Sequence, residues 1–185
     1  MTANPIQAKT EWVGARFARQ GARERKPFAI PPQIQNILVA VDFSDYSEAA
    51  LQYATFLAGT FGATLTLVHS VEPYVYPEDL SAGLTLEEID ARWMRKQKDE
   101  LEAFSRTIRE GIPVTVVVTM GTAWNRIVEA AKTWNADLIV IGTHGRTGLK
   151  HVLMGSTAER VVRHAACPVL VVHLPGATDQ GCDVC

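Results

Sequence analysis

One segment of the chain concentrates glycines and positive charge. Between Gly142 and Gly155, four glycines fall within fourteen residues. Glycine lacks a Cβ, so a ligand can approach the main chain closely at such positions. Arg146, Lys150 and two histidines lie in the same stretch, and no acidic residue follows before Glu159. These residue types favour an anion as the ligand.

The end of this segment is predicted to start a helix. Ser156 with Glu159 three residues later predicts a capping box, which places Ser156 at the helix start. A helix N-terminus exposes unpaired amides and the positive end of the helix dipole, and both favour phosphate. One pair of glycines before a helix is often only a turn, but the combination favours a phosphate or nucleotide site. The Walker and Gly-x-Gly-x-x-Gly patterns are absent.

From residue 36 onward, the sequence alternates two patterns that would position this segment. Short continuous apolar runs are typical of strands buried on both faces, and apolar residues at three- and four-residue spacing are typical of helices. These patterns predict strands at residues 37–41, 63–71, 113–120, 136–141 and 169–172, and helices at 47–61, 85–111, 122–134 and 156–163.

Two helix ends and several inward faces are also predicted. Thr85 and Glu88 form a capping-box pattern at the start of the second helix, and Gly62 is expected to end the first. Residues 72–83 lack either period and are interpreted as a loop. The inward faces are predicted to include four large aromatic residues: Phe61, Trp93, Phe104 and Trp134.

Strict alternation of strands and helices predicts a doubly wound α/β fold. Its five-stranded, mainly parallel sheet would carry helices on both faces, because parallel strands require right-handed crossovers. Ligands of such sheets bind beyond the carboxyl ends of the strands, where the winding reverses. Asp42, Ser70 and Gly142 are therefore expected around one crevice.

Length and charge indicate one domain with an appendage. The 185 residues suffice for one ordinary domain and a short extension. Residues 1–33 carry six basic side chains against two acidic ones. This basic arm could contact nucleic acid or a membrane, but a solvated tail is the more common explanation. We expect a flexible extension at 1–35, a nucleotide-binding domain at 36–174 and a tail at 175–185.

The chain lacks membrane, secretion and disulfide signals. No apolar run approaches the ~18 to 20 residues of a membrane-spanning helix, and the start of the chain lacks a secretory layout. Three cysteines make no disulfide framework, so a cytoplasmic, reducing location is expected. Cys182 and Cys185 have the spacing of metal or redox pairs, but two ligands are too few for structural zinc. Cys167 is predicted to be a core residue.

Several motifs resemble the universal stress protein family. Gly142, Gly145 and the pair Gly155-Ser156 follow the spacing of its nucleotide-binding signature, with gaps of two and nine residues. The sequences ILVAVDFS at 37–44, LVH at 67–69, DLIVIG at 137–142 and CPVLVV at 167–172 are similar to that family in the same order. The resemblance covers about residues 36–173.

The resemblance implies a fold and a ligand. The fold is that of the adenine-nucleotide α-hydrolases, with strand order 3-2-1-4-5, and the ligand is ATP, with or without Mg²⁺. Asp42 would bond the ribose or adenine, and Ser70 would meet the adenine through its main chain. The remaining implied contacts are Ile141, Gly142 and Gly145 along the nucleotide, and Gly155, Ser156 and Thr157 on the phosphates. Arg146 is added on its charge alone.

We expect a nucleotide-dependent stress-response regulator with little or no turnover. No dedicated base is evident near the phosphates: Glu159 is expected to cap a helix, Asp42 lies toward the sugar, and His144 is expected at the solvated surface. No catalytic or metal-binding residue is therefore predicted. The alternatives are a slow ATPase or other nucleotide-consuming enzyme, and a dimeric interaction module without nucleotide.

The resemblance also implies a homodimer, and the last strand gives an independent reason. Residues 169–172 are apolar and are expected at a sheet edge, where unpaired backbone groups favour pairing with a second copy. The alternative is that the C-terminal tail covers this edge.

Overall fold

A computed structural model of the chain describes residues 34–72, 85–145 and 154–174. Within these residues, five strands and four helices alternate along the chain. Their bounds are β1 Asn36–Ala40, α1 Asp45–Phe61, β2 Thr64–Val71, α2 Leu86–Ser105, β3 Val114–Met120, α3 Ala123–Thr133, β4 Leu138–Gly142, α4 Ser156–His164 and β5 Val169–Val172.

The strands form one parallel sheet in the order β3-β2-β1-β4-β5. This confirms the predicted doubly wound fold and its strand order. The chain moves outward from β1 to β2 and β3 and then crosses to β4 on the other side of β1. The winding therefore reverses between the carboxyl ends of β1 and β4, which is where such sheets bind ligands.

Apolar side chains of the central strands alternate between two buried layers. Val39 of β1 and Leu67 of β2 pack with Ala50 of α1 on one face of the sheet. Leu38 of β1 and Ile139 of β4 pack on the other face, with side chains of α3 and α4. Alternate residues of a strand point to opposite faces, so the continuous apolar runs supply both layers.

The first two helices have the ends that the sequence predicts. Gly62 closes α1 in the left-handed conformation, with φ of 68°. A residue without Cβ adopts this conformation without steric cost. At the start of α2, the Thr85 side chain accepts from the Glu88 amide at 3.2 Å, and the Glu88 carboxylate accepts from the Thr85 amide at 2.8 Å. This capping box is confirmed.

The second predicted capping box, at the start of α4, is wrong. Gly155 is the N-cap residue and Ser156 is the first helical residue, so Glu159 stands one position beyond the place that a capping box requires. The Glu159 carboxylate instead pairs with Arg163 at 2.7 Å. Among the residues that the structure describes, the N-terminus of α4 consequently has no side-chain cap.

Three of the four predicted inward aromatic residues lie farther out than predicted, whereas Phe104 packs against the core. Phe61 is 50% exposed, and Trp93 and Trp134 are each 41% exposed. Phe61 is the last residue of α1 and Trp134 follows the last residue of α3, so neither is covered by a further helical turn. The second helix also ends at Ser105, short of residue 111. Cys167, predicted as a core residue, is half-buried and packs against the core layer that contains Leu38 and Ile139.

Several predicted features lie outside the described residues. They include most of the basic extension, all but the first residue of the loop at 72–83, and the pair Cys182 and Cys185. In the part of the chain that the structure describes, no helix is long and apolar enough to cross a membrane.

Candidate functional site

The carboxyl ends of β1, β2 and β4 open into a cavity of about 750 Å³. Its walls come from the residues that follow these strands and from one part of each helix. The first residues of α3 and α4 lie on it, and α2 contributes Trp93 and Gln97. The cavity therefore lies where the reversal of the sheet winding predicts a ligand.

Along one wall of the cavity, glycines allow neighbouring residues to approach the main chain closely. A Cβ at Gly145 would overlap the carboxylate of Asp42, and a Cβ at Gly142 would lie 2.8 Å from the Tyr46 Cβ. The amide of Gly155 donates to the carbonyl of Thr143 at 2.7 Å, which ties the start of α4 to the end of β4. Larger side chains at these glycines would displace the wall or fill the cavity.

The N-terminus of α4 presents amide donors at this wall. The first intrahelical bond of α4 runs from the Glu159 amide to the Gly155 carbonyl at 3.0 Å. The preceding amides of Ser156, Thr157 and Ala158 have no backbone acceptor among the described residues, and all three residues line the cavity. Unpaired amides at the positive end of a helix dipole favour an anion such as phosphate.

Asp42 stands at the tip of β1 with a fixed orientation. Its Oδ1 accepts from the Ser44 amide at 3.1 Å and also from the Ser44 hydroxyl. Ser44 in turn caps α1 by accepting from the Ser47 amide at 3.3 Å. The carboxylate is thus held by the start of α1 while its residue lines the cavity, where it can accept hydrogen bonds from a ligand.

Two side chains at the end of β2 are already engaged by the backbone. The Ser70 hydroxyl donates to the Gly121 carbonyl at 2.7 Å. The Nδ1 atom of buried His69 lies 2.7 Å from the carbonyl oxygen of Val41. A carbonyl only accepts, so Nδ1 carries the hydrogen. The His69 ring also packs on Phe43, with ring centroids 4.7 Å apart.

A sequence comparison identifies the family. The universal stress protein family model matches residues 33–173, which span the whole sheet and the cavity. The chain belongs to the universal stress protein family. A universal stress protein of Methanocaldococcus jannaschii is 36% identical over 144 residues, covering 76% of this chain and 83% of that protein.

Solved structures of universal stress proteins share the fold. The universal stress protein UspA of Lactobacillus plantarum has a TM-score of 0.64 and 30% identity, covering 76% of this chain and 98% of that one. A universal stress protein in complex with cAMP has a TM-score of 0.56 and 25% identity, covering 76% of this chain and 98% of that one. The universal stress protein from Archaeoglobus fulgidus in complex with dAMP has a TM-score of 0.52 and 26% identity, covering 74% of this chain and 96% of that one.

Most residues that the sequence singles out in this universal stress protein lie together. The following predicted site residues line the one cavity: Asp42, Ser70, Ile141, Gly142, Gly145, Gly155, Ser156 and Thr157. Arg146 lies outside the described residues, as do Lys150 and His151. His144 is half-buried rather than solvated, because its ring packs on that of Tyr46 with centroids 5.3 Å apart.

The sequence reasoning missed the contribution of α2 and α3 to the cavity. Gln97 and Trp93 come from α2, and Ala123 and Ile127 from α3. The sequence pattern could have identified Gln97. It lies four residues after Trp93 and four before Leu101, so its amide interrupts an apolar helix face. A polar residue at such a position, on a helix that borders a strand end, is a candidate for ligand contact.

Proposed function

We propose that this universal stress protein binds ATP in the cavity and acts as a nucleotide-dependent regulator in the cytoplasm, with little or no turnover. The observation that carries the proposal is the N-terminus of α4, which presents three amides without backbone acceptors among the described residues to a cavity at the sheet's switch point. The complexes of two family members with cAMP and dAMP support an adenine nucleotide as ligand.

The nucleotide would lie along the cavity from α4 toward β2. The amides and hydroxyls of Ser156 and Thr157, with the Gly155 main chain, would hold phosphates, and Arg146 would add positive charge. Gly142, Gly145 and Ile141 would line the nucleotide. Asp42 would accept from ribose hydroxyls, because its carboxylate is fixed at the tip of β1. The main chain of Ser70 would meet the base.

The fit of a nucleotide depends on the glycines. Gly145 and Gly155 leave no Cβ on the wall that would face the phosphates, and the Gly145 position would have no space for one. Mg²⁺, when present, would be held largely by phosphate oxygens. Within the described ranges, no group of three or more His, Cys, Asp or Glu side chains is placed to hold a metal ion.

We expect slow turnover because the carboxylates near α4 are engaged with other residues. Hydrolysis requires a positioned water and stabilisation of the transferred phosphoryl group. Glu159 pairs with Arg163, and Asp42 is held by Ser44 on the side proposed for the sugar. Among the described residues, we therefore assign no general base, and we propose that ATP acts as a regulatory ligand.

The nucleotide carried by the purified protein tests this function. Freshly purified full-length protein is denatured, and the released small molecules are identified by chromatography and mass spectrometry. We expect ATP or ADP, and saturable ATP binding by calorimetry after the nucleotide is removed. Product formation above ~1 per second would instead favour an enzyme. Protein that carries no nucleotide and binds none would instead favour a dimeric interaction module without nucleotide.

We also propose that β5 forms a homodimer interface. Among the described strands, β5 pairs with β4 alone, and its apolar residues 169–171 are only half-buried. Pairing with a second copy would satisfy the open edge. Light scattering should give a dimer mass for the wild type and a monomer mass for Val169→Lys. A wild-type monomer at ~100 μM would contradict the proposal.

A further inference from the structure

Gln97 is a largely buried polar residue whose carboxamide has no hydrogen-bond partner among the described residues. The residue lies on α2, is only 6% exposed, and lines the cavity. Three other buried polar side chains of the cavity, Ser47, His69 and Thr143, each bond a backbone carbonyl. The Gln97 carboxamide makes no hydrogen bond within the part of the chain that the structure describes.

The Gln97 carboxamide borders the cavity, where a ligand can reach it. Most buried polar side chains of native proteins are hydrogen-bonded, and exceptions are often explained by a ligand or an ordered water. A ligand in the cavity can bond the carboxamide in place of water. The carboxamide therefore indicates a polar contact that the described residues do not supply.

The position of α2 places Gln97 at the end of the cavity away from α4. α2 packs against β2 and β3, whereas the start of α4 is tied to the end of β4 through Thr143. β2 and β4 flank β1, so they stand about 10 Å apart at ~4.8 Å per strand. A nucleotide with its phosphates at α4 extends its base toward β2, and hence toward Gln97.

The carboxamide can distinguish purine bases. It carries one acceptor and two donors, so it can accept from the 6-amino group of adenine and donate to N7 on the same edge of the base. Hypoxanthine and guanine present two acceptors on this edge, O6 and N7, so the carboxamide oxygen finds no donor in either orientation. Trp93, one helical turn before Gln97, also lines the cavity and provides an aromatic surface beside the same edge.

We propose that Gln97 selects adenine among purine nucleotides by pairing its carboxamide with the 6-amino group and N7 of the base. This selectivity rests on the proposed nucleotide site. It assigns a specificity role to a helix that lies outside the glycine-rich segment.

Titration of ATP against inosine triphosphate tests the proposal. The two ligands share ribose and phosphates but differ at the 6-position of the base. Calorimetry on full-length, nucleotide-free protein should show that the wild type binds ATP ~10-fold more tightly than inosine triphosphate, within the range that one bidentate base contact supplies. Gln97→Met has nearly the same length and no polar group. It should lower ATP affinity ~10-fold and change inosine triphosphate affinity less than ~2-fold.

Controls separate a base contact from a structural effect. Glu100→Met, at an exposed position of the same helix, should retain both wild-type affinities. Circular dichroism checks that Gln97→Met is folded, and the wild-type preference tests the contact even if that variant does not fold. Equal loss of both affinities, an unchanged preference in Gln97→Met, or a wild type without preference would overturn the role of Gln97. A wild type that binds neither nucleotide would overturn the proposed function itself.

Discussion

The two ends of the strands form an amino-terminal edge and a carboxyl-terminal edge of the sheet, and polar groups are paired differently at these two edges. At the amino-terminal edge, the Asp137 carboxylate accepts from the amides of Gln35 and Asn36, both at 2.9 Å, and the Asp137 amide donates to the Asn36 carbonyl. These bonds connect the starts of β1 and β4. At the carboxyl-terminal edge, the α4 amides and the Gln97 carboxamide line a cavity without a partner among the described residues.

The helix starts all follow strands and therefore lie at the carboxyl-terminal edge, but their caps differ. α1 is capped by the Ser44 side chain and α2 by the Thr85 capping box. α3 and α4 have no side-chain cap among the described residues, and the first residue of each, Ala123 and Ser156, lines the cavity. Side-chain caps satisfy helix amides at a gain of about 1 kcal/mol. Their absence beside the cavity leaves amides for a ligand.

The largest effect is expected from Ser156→Glu at the carboxyl-terminal edge. A carboxylate at the start of α4 repels phosphates at short range, so ATP affinity should fall ~100-fold. The same charge interacts favourably with the helix dipole, so thermal stability should not decrease. Calorimetry and thermal unfolding measure the two effects. The uncharged Ser156→Gln should lose less than ~10-fold in affinity, and equal affinities of the two variants would contradict an anion site here.

At the opposite edge, Asp137→Ala should lower stability and leave binding unchanged. It removes the acceptor of two backbone amides, which should cost about 2 kcal/mol because the site is partly open to solvent. Urea unfolding measures the free energy, and calorimetry should give an ATP affinity within ~2-fold of the wild type. Asp137→Asn keeps one acceptor oxygen and should lose less. A fall in ATP affinity that parallels the loss of stability would contradict the proposed difference between the two edges.

Ser70→Ala separates main-chain from side-chain contact at the binding edge. The Ser70 hydroxyl is engaged with the Gly121 carbonyl, so its removal should cost about 1 kcal/mol of stability. ATP affinity should stay within ~2-fold, because the proposed contact uses the main chain. Ser105→Ala is a matched control, since it also removes one hydroxyl bond to a carbonyl, away from the cavity. A loss above ~5-fold for Ser70→Ala alone would show that the hydroxyl contacts the ligand.

The smallest effect is expected at Cys167, near the amino-terminal edge. Burial raises the pKa of the Cys167 thiol, and the negative charge of Asp137 raises it further. Asp137→Asn removes that charge, so the pKa should fall slightly and more thiolate should be present at pH 8. With Cys182 and Cys185 replaced by serine, iodoacetamide should react about 2-fold faster with the variant. Equal rates in the folded proteins would contradict this coupling, whereas equal rates are expected after denaturation.

The sequence predicts the fold better than the lining of the cavity. Apolar runs such as residues 37–41 and the end signals at Gly62 and Thr85 depend on local chemistry, and the structure confirms them. The predicted capping box at Ser156 does not form, because Gly155 rather than Ser156 is the N-cap residue and Glu159 is therefore one position too far along the helix. Gln97 and Ile127 reach the cavity through the packing of distant helices; the sequence marks Gln97 as a polar break in an apolar face, but it does not specify that packing.

The most direct test of the central claim is an NMR titration of isotope-labelled, full-length protein with ATP. If α4 holds phosphates, the amide signals of Ser156, Thr157 and Ala158 should shift saturably and more than those of Gln35 and Asn36 at the opposite edge. Saturable binding that leaves the three α4 amides unshifted would contradict the account, as would the absence of any shift at millimolar ATP.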